Sequence, residues 1–186
     1  FYRCDGLTSI TIPDSVTSIG DESFRSCIGL TSVTIGNSVT RFGDWAFGGC
    51  DGLTNIYYNA KAVSNYLLSS SSNVFYGAGD SGTGVSVVFG NSVENIPAYL
   101  FDGCEGLTSV TIGNSVTSIG DSAFNGCNRL TTIYYNAEAV NDLSSWSNVF
   151  HNAGSSGTGI SVVFGDTVEK IPAWLFHDCG GLTSVT

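Results

Sequence analysis

The sequence predicts a solenoid, a stack of short turns with a parallel β-sheet on one face and short second strands, turns and short helices on the other. Three observations predict it. The cysteines keep a fixed spacing: Cys4, Cys27 and Cys50 are 23 residues apart, as are Cys104 and Cys127. The long gaps, Cys50 to Cys104 and Cys127 to Cys179, are 54 and 52 residues, two such turns with 8 or 6 residues added. A longer period is superimposed, because NAKAV…SSNVF at 59–75 recurs as NAEAV…WSNVF at 136–150. Self-similarity at a period of 20 to 50 residues is the sequence signature of stacked-repeat architecture.

Each turn begins with a strand. In the second turn Leu30, Val33 and Ile35 follow L-x-x-V-x-I, and neighbours on a strand point to opposite faces. Val33 and Ile35 therefore face inward and Ser32 and Thr34 outward. Gly36-Asn37-Ser38-Val39 then carries turn chemistry. Val39 and Phe42 start a second extended stretch. Gly43-Asp44 reads as a break followed by a helix N-cap, with Ala46 and Phe47 in one short helical turn. Pro97 and Pro172 replace the glycine in two repeats, which suits the first turn of a helix.

One such turn cannot bury its own apolar edge, whereas stacked copies can. Stacking aligns Ile10, Val33, Ile56, Val87, Val110, Ile133, Val162 and Val185 in one inward column. Phe24, Phe47, Phe101, Phe124 and Phe176 make a second. Eight strands are expected, at 8–12, 31–35, 54–58, 85–89, 108–112, 131–135, 160–164 and 183–186, giving a sheet about 34 Å long at standard strand spacing.

The run LTSVTIGNSVTSIGDSAFNGC at 107–127 resembles the BspA-like, or Treponema-type, leucine-rich repeat, and the resemblance covers essentially all of the chain outside two inserts. It implies a leucine-rich-repeat solenoid, a single unit over 1–186 of about eight turns with inserts at 59–80 and 136–155. It also implies a secreted or surface-attached protein of a host-associated microbe, acting in adhesion to host matrix or other cells. The family has no shared catalytic residues to carry over.

Charge narrows the partners. Six Lys and Arg stand against 16 Asp and Glu, a formal charge of -10. Such a surface repels the phosphate backbone, so no nucleic-acid partner is expected, and it disfavours an anionic membrane surface. No apolar run approaches a membrane span, so no membrane insertion is expected. Cysteines spaced by 23 do not suit structural zinc, which uses close C-x(2–4)-C pairs. Six cysteines at one repeat position should point the same way, so buried free thiols are favoured over disulfides. No N-glycosylation sequon is present.

Gly79-Asp80-Ser81-Gly82 matches a short serine-nucleophile motif, but a triad also needs a histidine base and a carboxylate behind it. The two histidines, His151 and His177, lie in the second superrepeat, where Ser155 replaces Asp80. A flexible loop is the better reading, and neither a P-loop lysine nor a calcium ligand set accompanies it. No clustered acid/base set, metal site or cofactor motif emerges, so the chain does not read as an enzyme. Each insert reads as an asparagine N-cap with a short helix, with apolar positions at Val63, Tyr66 and Leu67 and at Val140 and Leu143.

The outward strand positions give the binding hypothesis. One column runs Thr11, Thr34, Tyr57, Val88, Thr111, Tyr134, Val163, Thr186. Its neighbour runs Ser9, Ser32, Asn55, Ser86, Ser109, Thr132, Ser161, Ser184. The face is neutral and rich in hydroxyls, and Tyr57 and Tyr134 stand three strands, roughly 14 Å, apart. Such a face suits a host protein or a glycan. Tyr57, Tyr134, Asn55, Val88, Thr111, Thr132 and Val163 are the candidate ligand-binding residues. The competing reading is a passive spacer whose strand face is chosen for pairing. A further aromatic column, Trp45, Tyr99 and Trp174, is expected to half-cover the outer side.

The chain starts and stops inside repeats, so it reads as a piece of a longer protein. Val185 is expected at a core position with no repeat beyond it, and the isolated piece is expected to associate end to end.

Overall fold

A computed structural model describes residues 1–61, 63–64 and 68–186. In chain order its strands are β1 (Ser9–Ile12), β2 (Ser18–Ile19), β3 (Ser32–Ile35), β4 (Arg41–Phe42), β5 (Asn55–Tyr58), β6 (Val85–Phe89), β7 (Asn95–Ile96), β8 (Leu107–Ile112), β9 (Ser118–Ile119), β10 (Thr132–Tyr135), β11 (Ile160–Phe164) and β12 (Leu182–Val185). Eight of them form one parallel sheet in the order β1-β3-β5-β6-β8-β10-β11-β12. The two-residue strands pair separately, β2 with β4 and β7 with β9. The expected solenoid and its eight-stranded sheet are therefore present.

Register follows the repeat. Ile10, Val33 and Ile56 are consecutive partners, as are Val110, Ile133 and Val162. Val33, Ile56, Val87, Val110, Ile133 and Val162 are fully buried. The register slips by one residue where β6 meets β8 and again where β11 meets β12. The cause is the same in both places. Gly84 and Gly159 have positive φ of 109° and 98°, and a Cβ on either would lie 2.3 and 2.2 Å from the methyl of Thr108 and Thr183. The GDSGTG loop thus ends in a glycine that this bulge requires.

The core lies between the sheet and the outer turns, and a continuous phenylalanine spine runs through it. Phe1, Phe24, Phe47, Phe75, Phe101, Phe124, Phe150 and Phe176 stack with neighbouring centroids 4.8–5.8 Å apart. Phe89 meets Phe101 and Phe124 edge-on, tying the sheet to the spine. Phe75 and Phe150, from the second halves of the inserts, belong to this spine; the repeat pattern alone had suggested only five of its members. Ala78 and Ala153 follow them three residues later, as Cys50 follows Phe47, so these stretches form ordinary outer turns.

The short helices are a correction: among the described residues there is no helix. In the outer turns alternate N–H groups donate to the next repeat, and those between them, such as Arg25 and Cys27, bond back three residues to Glu22 and Phe24. Glu22, Phe24 and Ser26 donate to the carbonyls of Asp44, Ala46 and Gly48. Glu22 and Ser26 have positive φ, as do Trp45 and Gly49 one repeat on, and this alternation is incompatible with an α-helix. Asp44 is no helix cap either. The Asp21 carboxylate accepts the Asp44 N–H at 3.0 Å, so the acidic residue caps the neighbouring repeat. The prolines fit the same scheme. Gly43 and Gly120 donate their N–H to Ile19 and Ile96 of the preceding repeat, whereas Pro97 and Pro172, which have no N–H to donate, stand in the turns after β6 and β11, the strands that follow the inserts. In the second insert Ala139 forms an isolated bridge to Lys170 where a helix was expected. Ala62, Tyr66 and Leu67 of the first insert lie outside the described residues.

All six cysteines are free, and all but Cys4 are buried. Cys27, Cys50 and Cys127 donate their thiols to the carbonyls of Phe1, Phe24 and Phe101 at 3.0, 3.0 and 3.3 Å, one repeat earlier. Burial pushes the thiols of Cys50 and Cys104 up to about 12. They are stacking elements with their one donor satisfied, not reactive nucleophiles.

Candidate functional site

The sheet carries two columns of threonines that differ in what their hydroxyls do. At the strand entry, Thr31, Thr54, Thr131 and Thr183 each donate Oγ1 to the carbonyl of the residue 23 positions earlier, Thr8, Thr31, Thr108 and Ile160, at 2.9–3.1 Å. Thr108 does the same to Val85 at 3.1 Å. These hydroxyls are committed to holding repeats together. On the outward face, three residues after Thr31 and Thr108 and one after Thr131, Thr34, Thr111 and Thr132 make no such bond to a described residue. Their hydroxyls remain available.

The register places the candidate residues side by side. Tyr57 is opposite Val88, Val88 opposite Thr111, Thr111 opposite Tyr134, and Tyr134 opposite Val163. The neighbouring column pairs Asn55 with Ser86, Ser86 with Ser109, Ser109 with Thr132 and Thr132 with Ser161. Tyr57 is 47% and Tyr134 44% exposed, and neither phenol hydroxyl bonds to a described residue. Asn55 turns its amide onto the Thr54 hydroxyl at 2.9 Å. Val88, Thr111, Thr132 and Val163 are half-buried between their neighbours.

Beside this row the surface dips, and neither tyrosine lines the depression. A shallow, open depression of about 520 Å³ has Val88 and Thr111 in its floor, with Asn91, Asn114, Asn136 and Thr167 along the edge where the strands end. No charged side chain lines it. The asparagines were legible in the sequence only as turn residues. The sign that could have found them is their recurrence in G-N-S-V at 90–93 and 113–116, which aligns them at one edge of the sheet.

Elsewhere the sequence candidates take structural parts. Ser81 donates to the Asp51 carbonyl at 3.2 Å. His151 is bonded to Asn125 at 3.0 Å, and His177 packs edge-on against Trp174. Among the described residues no group of three or more His, Cys, Asp or Glu is placed to hold a metal ion, and no helix is long and apolar enough to cross a membrane. On the outer side Trp45 and Tyr99 are half-buried, with the Arg25 guanidinium 4.6 Å from the centre of the Trp45 ring, and Trp174 is exposed. Trp146 of the second insert, 83% exposed, is a conspicuous residue that the repeat pattern did not single out.

Comparison with known proteins bears on the family and the fold. The family model for the BspA type leucine rich repeat region matches residues 1–77 and 69–186, in six copies. The fold is similar to that of a leucine-rich repeat protein from T. pallidum, with a TM-score of 0.55 and 22% identity over 95% of this chain and 78% of that one. A leucine-rich repeat protein from Eubacterium ventriosum gives a TM-score of 0.37 at 18% identity, covering 98% of this chain and 73% of that one. A leucine rich cell surface protein from Faecalibacterium prausnitzii gives 0.34 at 24% identity, covering 100% and 61%. No curated protein matches the sequence.

Proposed function

Given that this chain belongs to the BspA-type leucine-rich repeat family, we propose that it is a non-catalytic binding module of a secreted or cell-surface protein, adhering to a host protein or glycan through its sheet face. Leucine-rich repeat scaffolds generally serve as interaction or surface modules. The observation that carries the reading is the contrast between the two threonine columns. The entry column is consumed by inter-repeat bonds, while the outward column and the two tyrosines keep their polar groups free. The polar groups left unspent on this face can exchange bonds with water for bonds with a ligand at little cost. Tyrosine adds contact area with few rotatable bonds to immobilise.

The test is the double variant Tyr57→Ala/Tyr134→Ala, assayed for binding to host cells and to immobilised matrix. Loss of binding with an unchanged melting temperature supports the reading. Retained binding in a folded double variant removes the sheet face as the site. A native protein that binds neither cells nor matrix favours the passive spacer.

A further inference from the structure

We infer that the occupant of this face is a neutral, extended glycan lying along the solenoid axis across Tyr57, Val88, Thr111 and Tyr134. The inference rests on the sheet-face reading above and adds the ligand's chemical class.

Charge selects first. Although the chain carries a net charge of -10, none of the sixteen outward positions of the two columns is charged, and neither is any residue lining the depression. A sialylated or sulfated chain would meet no cation there and would be repelled by the protein as a whole. Polypeptide fits less well for a different reason. The energetic centre of a protein interface is a desolvated pocket holding aromatic or arginine anchors. Here the centre of the row is one half-buried valine and one half-buried threonine, with Tyr57 and Tyr134 flanking them in register.

The polar groups match sugar. The Asn91, Asn114 and Asn136 amides each carry donors and acceptors, and so do the Thr111 and Thr132 hydroxyls. Sugar hydroxyls need that mixture. The apolar C–H face of a pyranose needs a flat ring, which Tyr57 and Tyr134 supply while keeping their hydroxyls wet.

Shape and spacing argue for a chain over a single sugar. The two tyrosines are set roughly 14 Å apart along the axis by three strand spacings, about the reach of three to four pyranose rings, and the open depression adjoins the Val88 and Thr111 positions between them. Tyr57 and Tyr134 are also exactly equivalent positions in the two superrepeats, so the protein's period along the axis sets the period of contact.

The experiment is calorimetric titration of the full chain with neutral di- and tetrasaccharides of glucose, mannose, galactose and N-acetylglucosamine, a sialylated tetrasaccharide, and immobilised collagen stripped of its glycans. At least one neutral tetrasaccharide should bind about tenfold more tightly than its disaccharide. Tyr134→Ala should lower the tetrasaccharide to the disaccharide level, and Tyr134→Phe should retain most of the difference. Tyrosine-dependent binding to the stripped collagen or the sialylated probe alone would overturn the neutral-glycan assignment while leaving the sheet-face reading in place. Absence of tyrosine-dependent binding to every probe would overturn both.

Discussion

Phe47 and Phe75 lie 28 residues apart, yet their rings stack with centroids 5.1 Å apart and planes within 4°. The neighbouring pair Phe24 and Phe47, at the ordinary 23-residue spacing, stacks at 5.0 Å. The added residues of the first insert are therefore absorbed before the outer turn, and the spine continues without a gap. A solenoid that depends on nearest-neighbour contacts should be sensitive to a break at this point.

Phe75→Ala should cost about 3–5 kcal/mol, the usual range for emptying a buried phenylalanine site. Urea unfolding followed by circular dichroism checks it. The expected result is a lower midpoint or two separated transitions, with the turns on either side of Phe75 uncoupled. A change below about 1 kcal/mol would mean that the spine is not continuous there.

Tyr58 and Tyr135 are fully buried, and their hydroxyls have no hydrogen-bond partner among the described residues. They stand in register with Phe89 and Phe164 on the next strands. An unmet buried hydroxyl costs about 1–3 kcal/mol, so Tyr58→Phe and Tyr135→Phe should each be neutral or stabilise the protein by about 1 kcal/mol. Chemical denaturation of the two single variants decides the sign. A clear loss of stability would show that a buried water or other group serves the hydroxyl.

The thiols should separate sharply by access. In the folded protein a thiol reagent should modify Cys4 alone, and after denaturation all six. Because burial holds Cys50 and Cys104 neutral up to about 12, the protection should persist into mildly alkaline buffer. An intact mass short of the fully reduced value by one or more pairs of hydrogens would contradict the free-thiol ladder.

Asp102 gives a pH dependence. Burial raises its carboxyl above the ordinary value, partly opposed by the Asn125 amide donating at 2.7 Å. A carboxyl whose pKa is raised by folding binds its proton more tightly in the native state. Its ionisation therefore costs stability as pH climbs above the unfolded value of about 3.9, and the loss is complete above the folded value. Asp102→Asn keeps the acceptor for Asn125 and removes the charge. Thermal melts between pH 3 and 7 should show a smaller decline for the variant than for the native chain, and an equal or larger one would contradict the assignment.

Much of this was legible in the residues. The 23-residue spacing placed the eight strands and the inward column because strand periodicity is exact and burial is the dominant force on it. The outer side was harder to read. Gly-Asp before Ala-Phe resembles a helix start, but whether Glu22 donates back along the chain or across to Asp44 depends on the neighbouring repeat, which local propensity does not contain. Phe75 and Phe150 were hidden for a related reason: the added residues displace them from the 23-residue count, and only the ring stack restores their equivalence. The sheet-face columns followed from alternation alone, whereas the Asn91 and Asn114 rim required knowing where the strands end relative to one another.

The sheet-face claim is tested most directly by hydroxyl-radical footprinting of the chain with and without its bound host component. The account predicts that oxidation of Tyr57 and Tyr134 falls in the complex while Trp146 and Trp174 on the outer side label as before. Protection of Trp146 and Trp174 with both tyrosines still fully labelled would place the ligand on the opposite side of the solenoid and contradict it.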